Sequence, residues 1–92
     1  MTKRGKERKE LYQSEARKQY EGKVMSGDCD MEMILFFKDK RRRDVDNYSK
    51  LVLDSLEGIV YEDDKQIQML TIRKFVDKEN PRIIININKK YD

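Results

Sequence analysis

The segment Met31-Glu32-Met33-Ile34-Leu35-Phe36-Phe37 constrains the fold most, because so polar a chain has room for one small core and this run must lie in it. Met31, Met33, Leu35 and Phe37 alternate onto one face of a strand, and Ile34 and Phe36 give the other face some apolar character. Elsewhere apolar residues are sparse: 37% of the 92 residues are hydrophobic, 42% are charged and Trp is absent. Domains this small often draw stability from a partner subunit or ligand, so an oligomer is expected.

Two further strands are expected at Ile67–Val76 and residues 82–88, the second with Ile83, Ile85 and Ile87 on one face. The short polar link Asp77-Lys78-Glu79-Asn80-Pro81 suggests that these two form an antiparallel hairpin. Residues 2–9 lack apolar side chains and read as a flexible basic arm, within a single domain spanning residues 1–92. A helix is expected over 10–21, where Tyr12, Ala16 and Tyr20 form a thin stripe beside Leu11 and Gly22 ends the run. A second helix starts near Asp46, which can cap it, and carries Tyr48, Leu51, Val52, Ser55, Leu56 and Ile59 at helical spacing up to Gly58. The fold class is α+β: a small two-layer domain with helices on one face of a mainly antiparallel or mixed sheet.

Charge is segregated. Residues 1–24 carry +4, residues 38–43 carry +4 and residues 44–64 carry −6. A basic run joined directly to an acidic one suits a polyanion held beside a cation site. There is no His, which excludes imidazole general-base chemistry and the usual His/Cys zinc sites. The single Cys29 forbids an intramolecular disulfide, which fits a reducing cytoplasm. No apolar stretch approaches the ~20 residues of a membrane span, and no small-molecule cofactor motif is present.

The carboxylates are the remaining source of chemistry. Asp44-Val45-Asp46 follows the strand and the basic run, and Asp63-Asp64 lies in the turn after the second helix. In an extended segment Asp44 and Asp46 would point the same way, about 6–7 Å apart, and Asp64 could join them if the helix folds back. Acids gathered at one point repel each other and call for a cation such as Mg²⁺. Lys50, one turn after Asp46, could face the same site or simply pair with Asp46. From the residues alone, a helix cap at Asp44/Asp46 and a polar turn at Asp63-Asp64 explain the pattern equally well. Asp-x-Asp recurs at Asp28-Cys29-Asp30, read as a solvated turn, and Asp54 is read as surface.

The wider pattern is more specific. Arg41-Arg42-Arg43-Asp44-Val45-Asp46-Asn47-Tyr48-Ser49-Lys50, then Leu53-Asp54-Ser55-Leu56 and Tyr61-Glu62-Asp63-Asp64-Lys65-Gln66-Ile67, resembles the RusA family of Holliday-junction resolvases. That resemblance implies a Mg²⁺-dependent homodimeric endonuclease, with Mn²⁺ as a possible substitute, that cuts four-way junction DNA. It implies Asp44, Asp46 and Asp64 as metal-binding catalytic carboxylates, Lys50 as the catalytic lysine, and Asn47 and Asp63 as supporting residues. Lys40, Arg41, Arg42, Arg43 and the arm residues Lys3, Arg4 and Lys6 would contact backbone phosphates without reading bases. Family members open with a strand and a Pro-rich turn. This chain starts in what should be the loop after them, so a sheet short of one strand with an unpaired edge is expected. A start site downstream of the true one, or a shortened phage or prophage relative, would give such a chain.

Two other classes fit less of the pattern. A relative that binds branched DNA without cutting it would bind junctions but not nick them. A structural protein whose acids only cap a helix would bind neither metal nor DNA. A glycosyltransferase-like Asp-x-Asp fails on length, since no nucleotide-binding domain fits in 92 residues.

Overall fold

The run that had to be interior is the central strand of a three-stranded sheet. In the computed structural model, which describes residues 3–90 (of Lys3 and Arg4 the backbone only), β1 spans Cys29–Phe37, β2 Ile67–Val76 and β3 Arg82–Lys89, in the order β2-β1-β3. Helices α1 (Lys3–Gln19) and α2 (Val45–Leu56) complete the α+β set. The described residues form two compact units: residues 3–26 with 45–66, which hold both helices, and residues 27–44 with 67–90, which hold the sheet.

In the sheet unit, β1 runs parallel to β2 and antiparallel to β3. Cys29, Met31, Met33 and Leu35 are at most 2% exposed. Leu70 and Ile72 of β2 and Ile83, Ile85 and Ile87 of β3 flank them on the same face. The opposite face is partly apolar, as the alternation implied. There Glu32 pairs with Arg73 (3.4 Å) and accepts a hydrogen bond from Asn86 (3.1 Å), while Phe36 stacks on Phe75. The expected β2–β3 hairpin does not form. β1 is the most buried of the three strands, and it lies between the other two, where its backbone donors and acceptors are paired along both edges. Residues 77–81 then have to cross two strand spacings, about 10 Å, which five residues do easily. Asp77 builds that crossing: its carboxylate accepts from the Asn80 N–H (3.1 Å) and from Arg82 (2.7 Å).

The helical unit also departs from expectation. Helix α1 starts at Lys3, so residues read as an arm form its first turns. Their docking residue is not apolar: the Arg8 guanidinium lies 5.5 Å from the Tyr48 ring centre and donates to its hydroxyl (3.1 Å), extending the Tyr12, Ala16, Tyr20 stripe by one turn. Leu11 is 59% exposed and stays outside the stripe. The helix ends at Gln19, and a Cβ at Gly22 would sit 2.9 Å from the Tyr20 hydroxyl, so a larger residue there would displace that side chain. On α2, Ser49, Val52, Ser55 and Leu56 are buried.

Two measurements test this packing. Met33→Ala should cost about 2–5 kcal/mol in urea unfolding, because a fully buried central side chain leaves a cavity. Asp77 is held below the usual carboxylate range by Arg82 and by the Asn80 N–H. A depressed folded-state pKa gives stability that is present above the unfolded pKa and lost as pH falls through the folded one. Asp77→Asn should therefore lower the melting temperature slightly on the neutral plateau, converge with wild type in acid, and so flatten the acid limb below about pH 4.

Candidate metal centre

Helix α2 carries a stripe of charge. At 100° per residue, Asp46, Lys50 and Asp54 fall within an arc of about 80°, and Glu57, the residue just after the helix, follows Asp54 at i+3. The chain then reverses. Gly58 has φ +81°, the left-handed conformation that ends helices, and its N–H donates to the Tyr61 carbonyl (2.7 Å). Tyr61 is fully buried and its hydroxyl donates to the Leu53 carbonyl (2.6 Å), one of the carbonyls left over at the helix end. Burial, and then the charges of Glu57, Asp64 and Asp54, push its phenol well above the usual range, so it remains a neutral donor.

Gln66 sets the return path. Its Oε1 accepts from the N–H groups of Glu62 and Asp63 (both 2.9 Å), and its Nε2 donates to the Met25 carbonyl (2.9 Å). Asp64 starts a 3-10 turn (Asp64–Gln66), and its N–H donates to the Glu57 carboxylate (3.1 Å). The outcome is that carboxylate oxygens of Asp54, Glu57 and Asp64 lie within 4.8 Å of one another. Among the described residues none of the three forms an ion pair with Lys or Arg.

The electrostatics separate the two turn acids. Asp63 is held below the usual range by the Lys65 N–H, which its Oδ1 accepts at 2.9 Å. Asp64 is pushed up, first by desolvation, then by its hydrogen bond with Asp63 and by the charges of Glu57, Asp63 and Asp54. A carboxylate that resists ionising beside two others is relieved by a cation. Three hard oxygen donors at this spacing, with water in the remaining positions, fit Mg²⁺ or Mn²⁺.

The expected site residues do not all meet here. Asp64 does, but its neighbours are Asp54, which was expected to be plain surface, and Glu57, which was not singled out. Asp46 is exposed at the opposite end of α2. Eight residues of helical rise, about 12 Å, separate it from Asp54. The helix begins at Val45, so Asp44 occupies the position before it and Asp46 is not the cap; nor do the two share an extended segment. Asn47 and Lys50 are exposed on α2, and Lys50 makes no ion pair with Asp46.

The basic run also divides. Arg43 is committed to its own loop: it pairs with Asp39 (2.9 Å), donates to the carbonyls of Asp39 and Arg41, and lies 4.5 Å from the Phe37 ring centre. It is a poor candidate for phosphate contact, whereas Lys40, Arg41 and Arg42 are exposed. Lys6 is exposed on α1, and the side chains of Lys3 and Arg4 lie outside the described residues. The i,i+3 spacing of Asp54 and Glu57 was a visible signal for the cluster. The scaffolding by Tyr61 and Gln66 was not, since it depends on long-range carbonyl partners.

Tyr61→Phe should destabilise the protein by about 1–3 kcal/mol in urea unfolding, since it leaves the Leu53 carbonyl without its buried donor.

Comparison with known proteins bears on the family of the chain. A 46-residue stretch is 44% identical to the uncharacterized protein YqaN of Bacillus subtilis (strain 168), covering 50% of this chain and 32% of that protein. The chain thus spans about a third of that relative's length. No helix among the described residues is long and apolar enough to cross a membrane. The family model of endodeoxyribonuclease RusA matches residues 1–88, nearly the whole chain, and the protein therefore belongs to the RusA endodeoxyribonuclease family.

Proposed function

We propose that this protein is a Mg²⁺-dependent, structure-selective endonuclease of the cytoplasm that resolves Holliday junctions by paired cuts, working as a homodimer. The observation that carries the reading is the convergence of Asp64 with Asp54 and Glu57 on the stripe that also presents Lys50. Asp64, Asp54 and Glu57 would hold the ion. When bound, it lowers the pKa of a coordinated water and neutralises charge on the phosphate. Water oxygen bonds to phosphorus, the bond from phosphorus to the leaving sugar oxygen breaks, and a proton ends on that oxygen. Lys50 offsets the negative charge that grows there. Lys40, Arg41 and Arg42 hold backbone phosphates and confer affinity without sequence preference. Two symmetric cuts need two sites, which a two-fold dimer supplies.

Asp44 and Asp46 are the other carboxylates of the family motif and keep a catalytic role in this reading. With an ion centred on Asp64, Asp46 acts at a distance from it rather than as its direct ligand, given the length of α2 between them.

Junction cleavage in Mg²⁺, with calorimetric Mg²⁺ and Mn²⁺ titration of the same variants, tests each part. Asp64→Asn, Glu57→Gln and Asp46→Asn should each lower cleavage by at least about a hundredfold, the loss expected when a group that stabilises transition-state charge is removed. Ion binding should fail in the first two and survive in Asp46→Asn. If Asp46→Asn cuts as fast as wild type, Asp46 has no catalytic role. If wild type binds junctions but never nicks them in either metal, the protein is a branched-DNA binder. Lys50→Met should keep ion binding while cleavage falls.

A further inference from the structure

On the sheet unit's second face, one row of cross-strand neighbours forms a layered stack. Phe75 of β2 and Arg82 of β3 both lie opposite Phe36 of β1. The Arg82 guanidinium sits 3.9 Å from the Phe36 ring centre, and Phe36 stacks on Phe75 with centroids 5.5 Å apart at 23°. Asp77 fixes Arg82 in this pose through a 2.7 Å ion pair. The stack is closed at the arginine end and open at the other, where Phe75 remains 47% exposed despite being large and apolar.

Phe75 also lines a groove of about 440 Å³ with Phe37, Asp39, Lys40, Arg41, Lys74 and Val76. The cations there are Lys40, Arg41 and Lys74. The one acid, Asp39, is already engaged by Arg43 at 2.9 Å and by the Arg41 N–H at 2.9 Å. The exposed ring, held rigid from behind, lines this groove with Lys40, Arg41 and one neutralised acid, and Lys74 joins them from the other face of β2 at its open edge; such a lining complements a ligand with a flat π-face and flanking negative charge. Aromatic platforms with cationic rims hold single-stranded nucleic acid in this way, since every base has a π-face and every linkage a charge.

We propose that this groove is a stacking site for an unpaired base of DNA, with Phe75 as the platform and Lys40, Arg41 and Lys74 on the adjoining phosphates. The inference rests on the reading of the chain as a DNA-acting protein and adds to it a grip on unpaired bases, separate from the carboxylates. A site of this kind favours DNA with accessible bases, as at a branch point, over continuous duplex.

The test compares binding of a twelve-nucleotide oligothymidylate with an abasic strand of the same length and charge, by fluorescence anisotropy at low salt without divalent metal. Wild type should bind the base-bearing strand about tenfold tighter, within the range measured for stacking on one aromatic side chain. Phe75→Ala should erase that preference and leave abasic binding unchanged. Phe75→Trp should keep it, and Lys74→Ala should weaken both strands while reducing the salt dependence. Equal wild-type affinity for the two strands would overturn the proposal, as would a base preference that survives Phe75→Ala with an unchanged melting temperature. Neither result bears on cleavage. Loss of cutting in Asp64→Asn would still support the nuclease reading if the stacking site failed, and a stacking signal in a protein that never nicks DNA would separate the two the other way.

Discussion

The structure depends on β1 having a partner along each edge. Its inward side chains, Cys29, Met31, Met33 and Leu35, make up half of the eight buried apolar residues among those described, and the others, Val52, Leu56, Val60 and Tyr61, belong to the helical unit. With so little apolar material, each unit relies on a few well-placed contacts instead of a broad core. In the sheet these are the rows of isoleucine and leucine flanking the two methionines. In the helical unit they are Tyr61 at the end of α2 and Arg8 against Tyr48.

Both units convert charged residues into scaffold before any are left for a ligand. Arg43, Arg82 and Arg8 each lie against an aromatic ring, and each also donates a hydrogen bond or an ion pair. Guanidinium groups are suited to this because they stack and donate together. Net charge therefore says little about which cations remain available: in the basic run these are Lys38, Lys40, Arg41 and Arg42, and on α2 it is Lys50. The carboxylates show the reverse. Asp39, Asp77 and Glu32 are paired, whereas Asp54, Glu57 and Asp64 converge without a basic partner.

Local pattern made much of this legible. The bounds of β2 were read directly from its sequence, and β3 to within a residue. Asp64 was singled out through the order of the motif, and it lies in the carboxylate cluster. Long-range geometry was not legible. The Asp77–Pro81 link looked like a hairpin because sequence adjacency cannot show that a third strand lies between its ends. The amino-terminal turns of α1 looked like an arm because their docking residue is Arg8, and periodicity counts only apolar side chains. Asp44 and Asp46 were expected to point the same way and to be joined by Asp64 if the helix folded back, but a helix of three turns separates Asp46 from Asp64. Asp54 and Glu57, one turn apart near the end of that helix, became visible as a site only when the Gln66-pinned turn brought Asp64 to them.

Strand β2 pairs on one side only among the described residues, leaving ten residues with an open row of backbone donors and acceptors. Met69, Leu70, Phe75 and Val76 are exposed along it, a composition that invites strand-to-strand aggregation. Arg73 and Lys74 interrupt that apolar sequence at its middle and act as gatekeepers, since a second copy adding in register would bring like charges together. The lysine that would serve a phosphate thus also protects colloidal solubility. Engineering that removes positive charge from this strand to tune DNA affinity would trade binding against precipitation.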